Sequence, residues 1–95
     1  MNNFDYFIRK NNDIFDSIKT EDHLVIITKY EDDFNKMQCY DRNLKLIWET
    51  PPRYQGFSFT GLSIINGLYF VNDFNCMRYQ FDIETGEFLS QEFVK

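Results

Sequence analysis

An internal repeat constrains the fold of this chain more than any other feature. The motif DFNKM at residues 33–37 recurs forty residues later as DFNCM at 73–77. Each copy follows an apolar segment and continues through an aromatic residue to an aspartate, at Tyr40-Asp41 and Phe81-Asp82. A period of this length, with several short apolar segments in each copy, predicts two consecutive units built from a few strands each.

Short apolar segments separated by turn residues follow residue 23, a pattern typical of an antiparallel β-meander. The strongest strand prediction is 23–30, which is rich in β-branched residues and apolar on both faces, so we expect it inside a sheet. Asn66-Gly67 predicts a hairpin turn, because both residues tolerate positive φ. Further strands are predicted at 37–40, 44–49, 57–60, 62–65, 68–72, 76–82 and 87–93.

The boundary between the two units is marked by two prolines. Pro51 and Pro52 cannot donate hydrogen bonds to a strand ladder, so residues 51–56 are predicted to connect the units. The length fits a single domain, and we expect one all-β, antiparallel domain over residues 1–95. Its predicted parts are an N-terminal segment at 1–22, a first β unit at 23–50 and a second β unit at 57–95.

The N-terminal segment supports two interpretations. Five apolar residues lie on one stripe at helical spacing, interrupted by Asn11: Phe4, Phe7, Ile8, Phe15 and Ile18. Alternatively, residues 4–8 and 13–16 are strands on either side of a turn at Asn11-Asn12. We favour the strands, because they match the rest of the chain and because asparagine is a poor helix former.

The turn before the last strand resembles a known family. Residues 81–89, FDIETGEFL, are similar to the Asp–Thr–Gly turn of quinoprotein-type β-propeller blades. The family pattern usually ends in a tryptophan, where this chain has Ser90; the first unit keeps it as Trp48 but has a shorter turn without threonine and glycine. The resemblance covers 23–50 and 63–93 and implies blade-like strands and turns. No cofactor or metal ligand of the family can be placed on this sequence.

Two blade-like units are too few to close a propeller, which has about four blades or more. Three outcomes are therefore open: an open pair of sheets, association between copies of the chain, or a partner protein that covers the exposed edges. The two that cover the edges involve contact with another molecule, so we expect the protein to associate.

Residue types that carry catalysis are scarce in this chain. His23 is the only histidine and opens an apolar strand, where we expect a structural role. The four glycines are separated turn residues and form no phosphate-binding loop. Cys39 and Cys76 lack the spacing of a metal site. We expect no enzyme activity, no metal and no cofactor.

The amino terminus does not have the pattern of a secretory signal, and no run reaches the roughly 18 apolar residues of a membrane span. We therefore expect a cytoplasmic protein whose two cysteines are reduced thiols. Fifteen acidic and ten basic residues give a net charge of −5. Because nucleic-acid binding needs a basic stripe, which this sequence lacks, direct binding to nucleic acid is disfavoured.

Aromatic content is high: eleven Phe, six Tyr and one Trp. A domain this small cannot bury all of these rings in one core, so some are expected at a surface where they contact a partner. If both units face the same way, two loops lie at one end and combine carboxylates with two phenylalanines. The predicted partner-binding residues are Glu31, Asp32, Asp33, Phe34, Asp73 and Phe74. Alternatively, Asp33 and Asp73 cap their own turns.

These features together predict an intracellular inhibitor that binds another protein. The specific expectation is a bacterial immunity protein that neutralises a cognate toxin, such as a basic nuclease, by steric occlusion, with acidic groups attracting the basic target. One alternative is a self-associating, β-propeller-like structural scaffold. Another is a phage-type inhibitor that mimics DNA, which requires a denser acidic face than a net charge of −5 provides.

Overall fold

A computed structural model describes residues 3–32, 34–50 and 58–94. They form a helix and two four-stranded antiparallel meanders, sheet 1 with the order β1-β2-β3-β4 and sheet 2 with the order β5-β6-β7-β8. The elements are α1 (Asn3–Lys10), β1 (Ile14–Lys19), β2 (Leu24–Thr28), β3 (Met37–Tyr40), β4 (Leu46–Glu49), β5 (Phe59–Ile65), β6 (Leu68–Asp73), β7 (Met77–Phe81) and β8 (Phe88–Phe93). The predicted all-β fold of two meander units is confirmed. The predicted connection at 51–56 lies outside the described residues.

The interior strand β2 confirms the prediction from its composition. Leu24 to Ile27 are all buried, and the strand lies between β1 and β3. Alternate residues of a strand point to opposite faces, so both faces of β2 must be covered. The hairpin prediction is also confirmed, because Asn66 and Gly67 connect β5 to β6 with φ values of 52° and 79°, which matches a type I′ turn.

The predicted strand at residues 4–8 is wrong, because these residues lie in α1. The second predicted strand of the segment exists, as β1. Phe4, Phe7 and Ile8 follow helical spacing and pack together against Leu24 and Ile26 of sheet 1. Burial of this apolar stripe outweighs the weak helix propensity of the segment, since tertiary packing supplies most of a short helix's stability.

A second correction concerns the start of the second unit. The segments predicted as separate strands at 57–60 and 62–65 form the single strand β5, and Phe57 lies outside the described residues. Thr60 is an extra residue in that strand, since Phe59 pairs with Asp73 and Gly61 with Asn72. The irregularity that suggested two segments is therefore a β-bulge.

The molecule has three layers: α1, sheet 1 and sheet 2. We call the face of sheet 1 that carries Cys39 its front face, and likewise the face of sheet 2 that carries Gln80. Each of these residues comes just before the repeated aromatic–Asp pair. The front of sheet 1 packs against the back of sheet 2, and α1 covers part of the back of sheet 1. The buried core between the sheets consists of Val25, Ile27, Met37, Cys39, Phe59, Val71, Tyr79 and Phe81.

A row of paired residues crosses the front of each sheet at equivalent positions. In sheet 1 the row is Ile18, Val25, Cys39 and Trp48. In sheet 2 it is Ser63, Phe70, Gln80 and Ser90. Among the described residues, no further helix or strand remains to cover the front of sheet 2, and its row is correspondingly more polar.

All four edge strands contain a bulge, whereas the two central pairings, β2–β3 and β6–β7, are regular. The register of each outer pair skips one residue on its edge strand. The extra residues are Phe15 in β1, Ile47 in β4, Thr60 in β5 and Leu89 in β8. Bulges disturb an edge ladder and hinder the addition of another strand.

Trp48 joins the two sheets at the end where β7 turns into β8. Its indole Nε1 donates a hydrogen bond to the carbonyl oxygen of Ile83 over 2.8 Å, and its ring lies directly on Gly86. A Cβ atom on Gly86 would be 2.5 Å from the ring, and Gly86 has φ +78°. Both the close approach and the positive φ require glycine at this position.

The opposite end of the junction is held by Asn35. This side chain is 3% exposed. It accepts a hydrogen bond from the backbone N–H of Phe59 over 2.9 Å and donates one to the carbonyl oxygen of Phe59 over 2.8 Å. Asp16 adds a third connection, accepting a hydrogen bond from the backbone N–H of Leu62. Side chains of the first unit thus hydrogen-bond to the backbone of β5.

Candidate binding surface

The loops β2–β3 and β6–β7 lie at the same end of the two sheets, as predicted for units that face the same way. The hydroxyl of Tyr30, which follows β2, donates a hydrogen bond to the carbonyl oxygen of Phe59 over 3.2 Å. Phe59 in turn pairs with Asp73 at the end of β6. The β5 backbone therefore links one loop to the other.

Four aromatic side chains are exposed at this end, one of which is Phe93, 62% exposed and paired with Met77 at the start of β7. Phe74 is 76% exposed, while Tyr30 and Phe15 are 44% and 46% exposed. Phe15 and Tyr30 meet edge to face, with ring centroids 5.7 Å apart. Large apolar rings are costly to leave in water when they could be buried, so a group of them at one end is a feature of protein-binding surfaces.

Acidic side chains lie beside these rings. Glu31 and Asp32 are exposed, and neither forms an ion pair with a described residue. The backbones of Glu31 and Phe34 exchange two hydrogen bonds across the turn, which leaves Phe34 half-buried. We call Phe15, Tyr30, Glu31, Asp32 and Phe74 the acidic–aromatic end. The predicted Asp33 lies outside the described residues.

Asp73 has a different role in the structure from its exposed neighbours. It is 6% exposed, and its Oδ1 accepts hydrogen bonds from the backbone N–H groups of Asn75 and Met77. Its Oδ2 accepts a hydrogen bond from the hydroxyl of Tyr79 over 2.8 Å. This carboxylate caps its own turn, as the alternative interpretation expects, and we leave it out of the acidic–aromatic end.

The hydrogen bond to Asp73 and burial affect the phenol of Tyr79. Burial, followed by the hydrogen bond to Asp73 and its negative charge, raises the pKa of Tyr79 to about 12. Burial raises the pKa of the Cys39 thiol to about 12 as well, with smaller contributions from Glu84 and Asp41. Both groups are therefore neutral at physiological pH. Cys39 and Cys76 are free cysteines, the first buried and the second exposed.

Other groups with chemical potential are dispersed. His23 is half-buried, and its Nε2 lies 3.6 Å from a carboxylate oxygen of Glu84. Within residues 3–32, 34–50 and 58–94, no three His, Cys, Asp or Glu side chains are arranged to hold a metal ion. No helix in the same ranges is long and apolar enough to cross a membrane.

Sequence reasoning missed two members of the acidic–aromatic end, Phe15 and Tyr30. Phe15 is the bulge residue of β1, so strand alternation alone does not show which face it takes. Tyr30 belongs to the predicted strand 23–30 but follows the end of β2. The only sequence signal that the strand ends before Tyr30 is the pair of polar residues Thr28-Lys29.

Together the layers and the exposed end define an all-β protein of two stacked meander sheets with an acidic and aromatic surface at one end. No protein-family model matches the sequence, and no curated protein matches it.

Proposed function

We propose that this protein is an inhibitor that binds another protein, and specifically a bacterial immunity protein that occludes the active site of a basic toxin. The observation that supports this most directly is the acidic–aromatic end, where exposed rings lie next to carboxylates that make no ion pair with a described residue. In such a surface, aromatic side chains supply most of the binding free energy through burial. Carboxylates speed the encounter with a positively charged target and orient it.

Two features favour binding to a different protein over assembly of the chain with itself. Stacking of copies would bring the front of sheet 2, whose middle row carries Gln80 and Ser90, against the back of sheet 1, which α1 already partly covers. Edge-to-edge pairing would meet a bulge on each of the four edge strands. Both features count against these two modes of self-assembly.

The proposal is tested first with the neighbouring open reading frame. Its product is expressed in a bacterial host with and without this chain, and growth is recorded. An immunity protein restores growth, and the two purified proteins form a complex in which the toxin's activity is blocked. A neighbouring product that leaves growth unaffected and does not bind this chain would contradict the proposal.

The surface is tested by charge reversal in the same complex. Glu31→Lys with Asp32→Lys is expected to slow association by about tenfold or more at low salt, because it removes steering toward a basic target. Phe74→Ala is expected to speed dissociation. The matched control is Glu21→Lys with Asp22→Lys, which makes the same change in net charge on an exposed loop at the other end. Equal effects of the two charge reversals would exclude the acidic–aromatic end as the contact surface.

A further inference from the structure

A groove of about 460 Å³ opens next to the acidic–aromatic end, on the back of sheet 1 where α1 no longer covers it. Its walls come from the segment after α1, from the residues after β2 and from the back of sheet 1 itself. Tyr30 and Glu31 belong both to this groove and to the acidic–aromatic end. A partner seated on that end therefore lies directly above the groove.

The lining changes character with depth. Ile26 is 2% exposed and Thr28 is half-buried, so they form the inner part. Asp13, Tyr30 and Glu31 are exposed and lie at the rim. The groove thus has Ile26 at its floor, half-buried Thr28, Lys36 and Gln38 beside it, and carboxylates and an aromatic ring at its mouth. This arrangement suits a side chain with an aliphatic stem and a cationic head. Tyrosine rings also attract a guanidinium group.

Two lysines line the same groove, and their positive charge opposes the binding of a cationic side chain. Lys36 is already neutralised, because its Nζ lies 3.3 Å from a carboxylate oxygen of Glu49. Glu49 is in turn held in its charged form, since hydrogen bonds from Gln38 and Lys36 lower its pKa. Lys29 is exposed and makes no ion pair with a described residue. The rim carboxylates of Asp13 and Glu31 thus outnumber the one cation left without a counter-charge.

We propose that this groove receives an arginine side chain of the partner, with its stem along Ile26 and Thr28 and its guanidinium group between Asp13, Glu31 and the ring of Tyr30. The inference rests on the proposed function, in that it supplies the partner protein, but it concerns a groove that shares only Tyr30 and Glu31 with the acidic–aromatic end. Arginine fits better than lysine, because its planar head binds carboxylates in a fixed geometry and stacks on an aromatic ring.

In the experiment, N-acetyl-L-arginine amide is the probe and is titrated into the isotope-labelled full chain. Two-dimensional NMR records its binding. N-acetyl-L-citrulline amide is the matched probe, since it has nearly the same shape and no charge. The arginine probe is expected to shift the amide signals of Asp13, Tyr30 and Glu31 with a Kd of about 1 mM. The citrulline probe is expected to bind more weakly by about two- to fivefold or more.

Variants then test the charges. Glu31→Gln and Asp13→Asn are each expected to weaken binding of the arginine probe by about two- to fivefold, whereas Lys29→Gln strengthens it by a similar factor. The control Asp22→Asn, an exposed acid at the other end, leaves it unchanged. Weaker binding in Lys29→Gln, equal binding of both probes, or shifts confined to other residues would overturn the arginine site.

Failure of this site is distinguishable from failure of the proposed function. Suppose that the toxin complex forms and depends on Glu31 and Asp32, while the probe leaves the groove signals unshifted. The acidic–aromatic end is then supported as the contact surface, and the arginine site is excluded. If the probe binds as expected but the neighbouring gene product neither binds nor affects growth, the groove recognises arginine and the immunity function is excluded.

Discussion

The front faces of the two sheets occupy equivalent positions in the repeat and have opposite character. In sheet 1, Val25 and Cys39 are fully buried beneath sheet 2, and Trp48 reaches across to its neighbour. In sheet 2 the same places hold Phe70, Gln80 and Ser90. Arg78, where sheet 1 has the buried Met37, lies 5.0 Å from the ring centre of Phe70 and donates a hydrogen bond to Glu92.

This difference shows how a stack of repeated units can end. Each front face determines whether another layer is added, because an apolar face must be covered and a polar face does not need to be. At the other side of the stack, α1 takes the place that a further sheet would occupy. Among the described residues the stack therefore consists of α1 and two sheets, with the more polar row at its outer face.

The largest expected effect is at the contact between Trp48 and Gly86. Gly86→Ala forces a methyl group against the indole ring at a residue with positive φ, and we expect it to destabilise the fold by about 3–5 kcal/mol. Gly67→Ala is the matched control, because Gly67 has φ +79° and nothing within 4 Å of an added Cβ; it should cost about 1–2 kcal/mol. Chemical denaturation measures both. Equal losses would mean that Trp48 does not hold the sheets together.

The two asparagines of the repeated motif sharpen the comparison at the other end. Asn35→Ala removes both hydrogen bonds to the Phe59 backbone and should lower the free energy of unfolding by about 2–3 kcal/mol. Asn75→Ala alters the equivalent but exposed residue, and its expected effect is within about 0.5 kcal/mol. Denaturant titration of the two variants measures both changes in the free energy of unfolding. A large loss in Asn75→Ala would show that the two motifs hold their sheets in the same way.

The back faces differ at Tyr79, whose counterpart in sheet 1 is Gln38. Because the pKa of Tyr79 rises from 10.0 to about 12 on folding, the folded chain holds this proton more tightly than the unfolded chain does. The resulting stability, about 2 kcal/mol, is fully present below pH 10 and is lost as the pH rises toward 12. Denaturation at a series of pH values should show this decline. Tyr79→Phe should flatten it, leaving the parts that come from Cys39 and Tyr40, whose pKa values burial also raises; an unchanged slope would contradict the role of Tyr79.

The smallest expected effect on stability comes from giving sheet 2 the front face of sheet 1. The triple variant R78M/Q80V/S90W replaces polar side chains at positions where sheet 1 has Met37, Cys39 and Trp48. We expect the monomer's stability to change by no more than about 1 kcal/mol, while the new apolar patch drives self-association. Sedimentation velocity at increasing concentration measures this, with R78Q/Q80T/S90T as the polar control. A triple variant that stays monomeric would show that face polarity does not end the stack.

The strands and turns of sheets 1 and 2 follow from local patterns, and most of them could be predicted. Alternating apolar residues, the β-branched run in β2 and the Asn66-Gly67 turn each act within a few residues of chain. The helix could not be assigned in the same way, because Phe4, Phe7 and Ile8 are stabilised by contact with sheet 1. Propensity is a weak guide where such tertiary burial decides the outcome.

The candidate binding surface was harder to predict than the fold for a related reason. Glu31, Asp32 and Phe74 stand out in the sequence as an acidic run and its repeat counterpart, and all three are exposed. Asp73 belongs to the same motif as Phe74, yet its carboxylate is turned inward to cap the loop. Phe15 depends on the bulge in β1, and the groove depends on where α1 ends. The capping role of Asp73 was the alternative that its turn suggested, whereas the face of Phe15 and the groove leave no local signature in the sequence.

The order of the layers along the chain has a consequence for biosynthesis. The ribosome synthesises α1 and sheet 1 before sheet 2. Val25, Ile27, Cys39 and Trp48 therefore have no second sheet to pack against while the second half is made. At ordinary translation rates this delay lasts roughly a few seconds. During that interval the nascent polypeptide carries a bare apolar sheet, and chaperones that recognise such surfaces have their best opportunity to bind it.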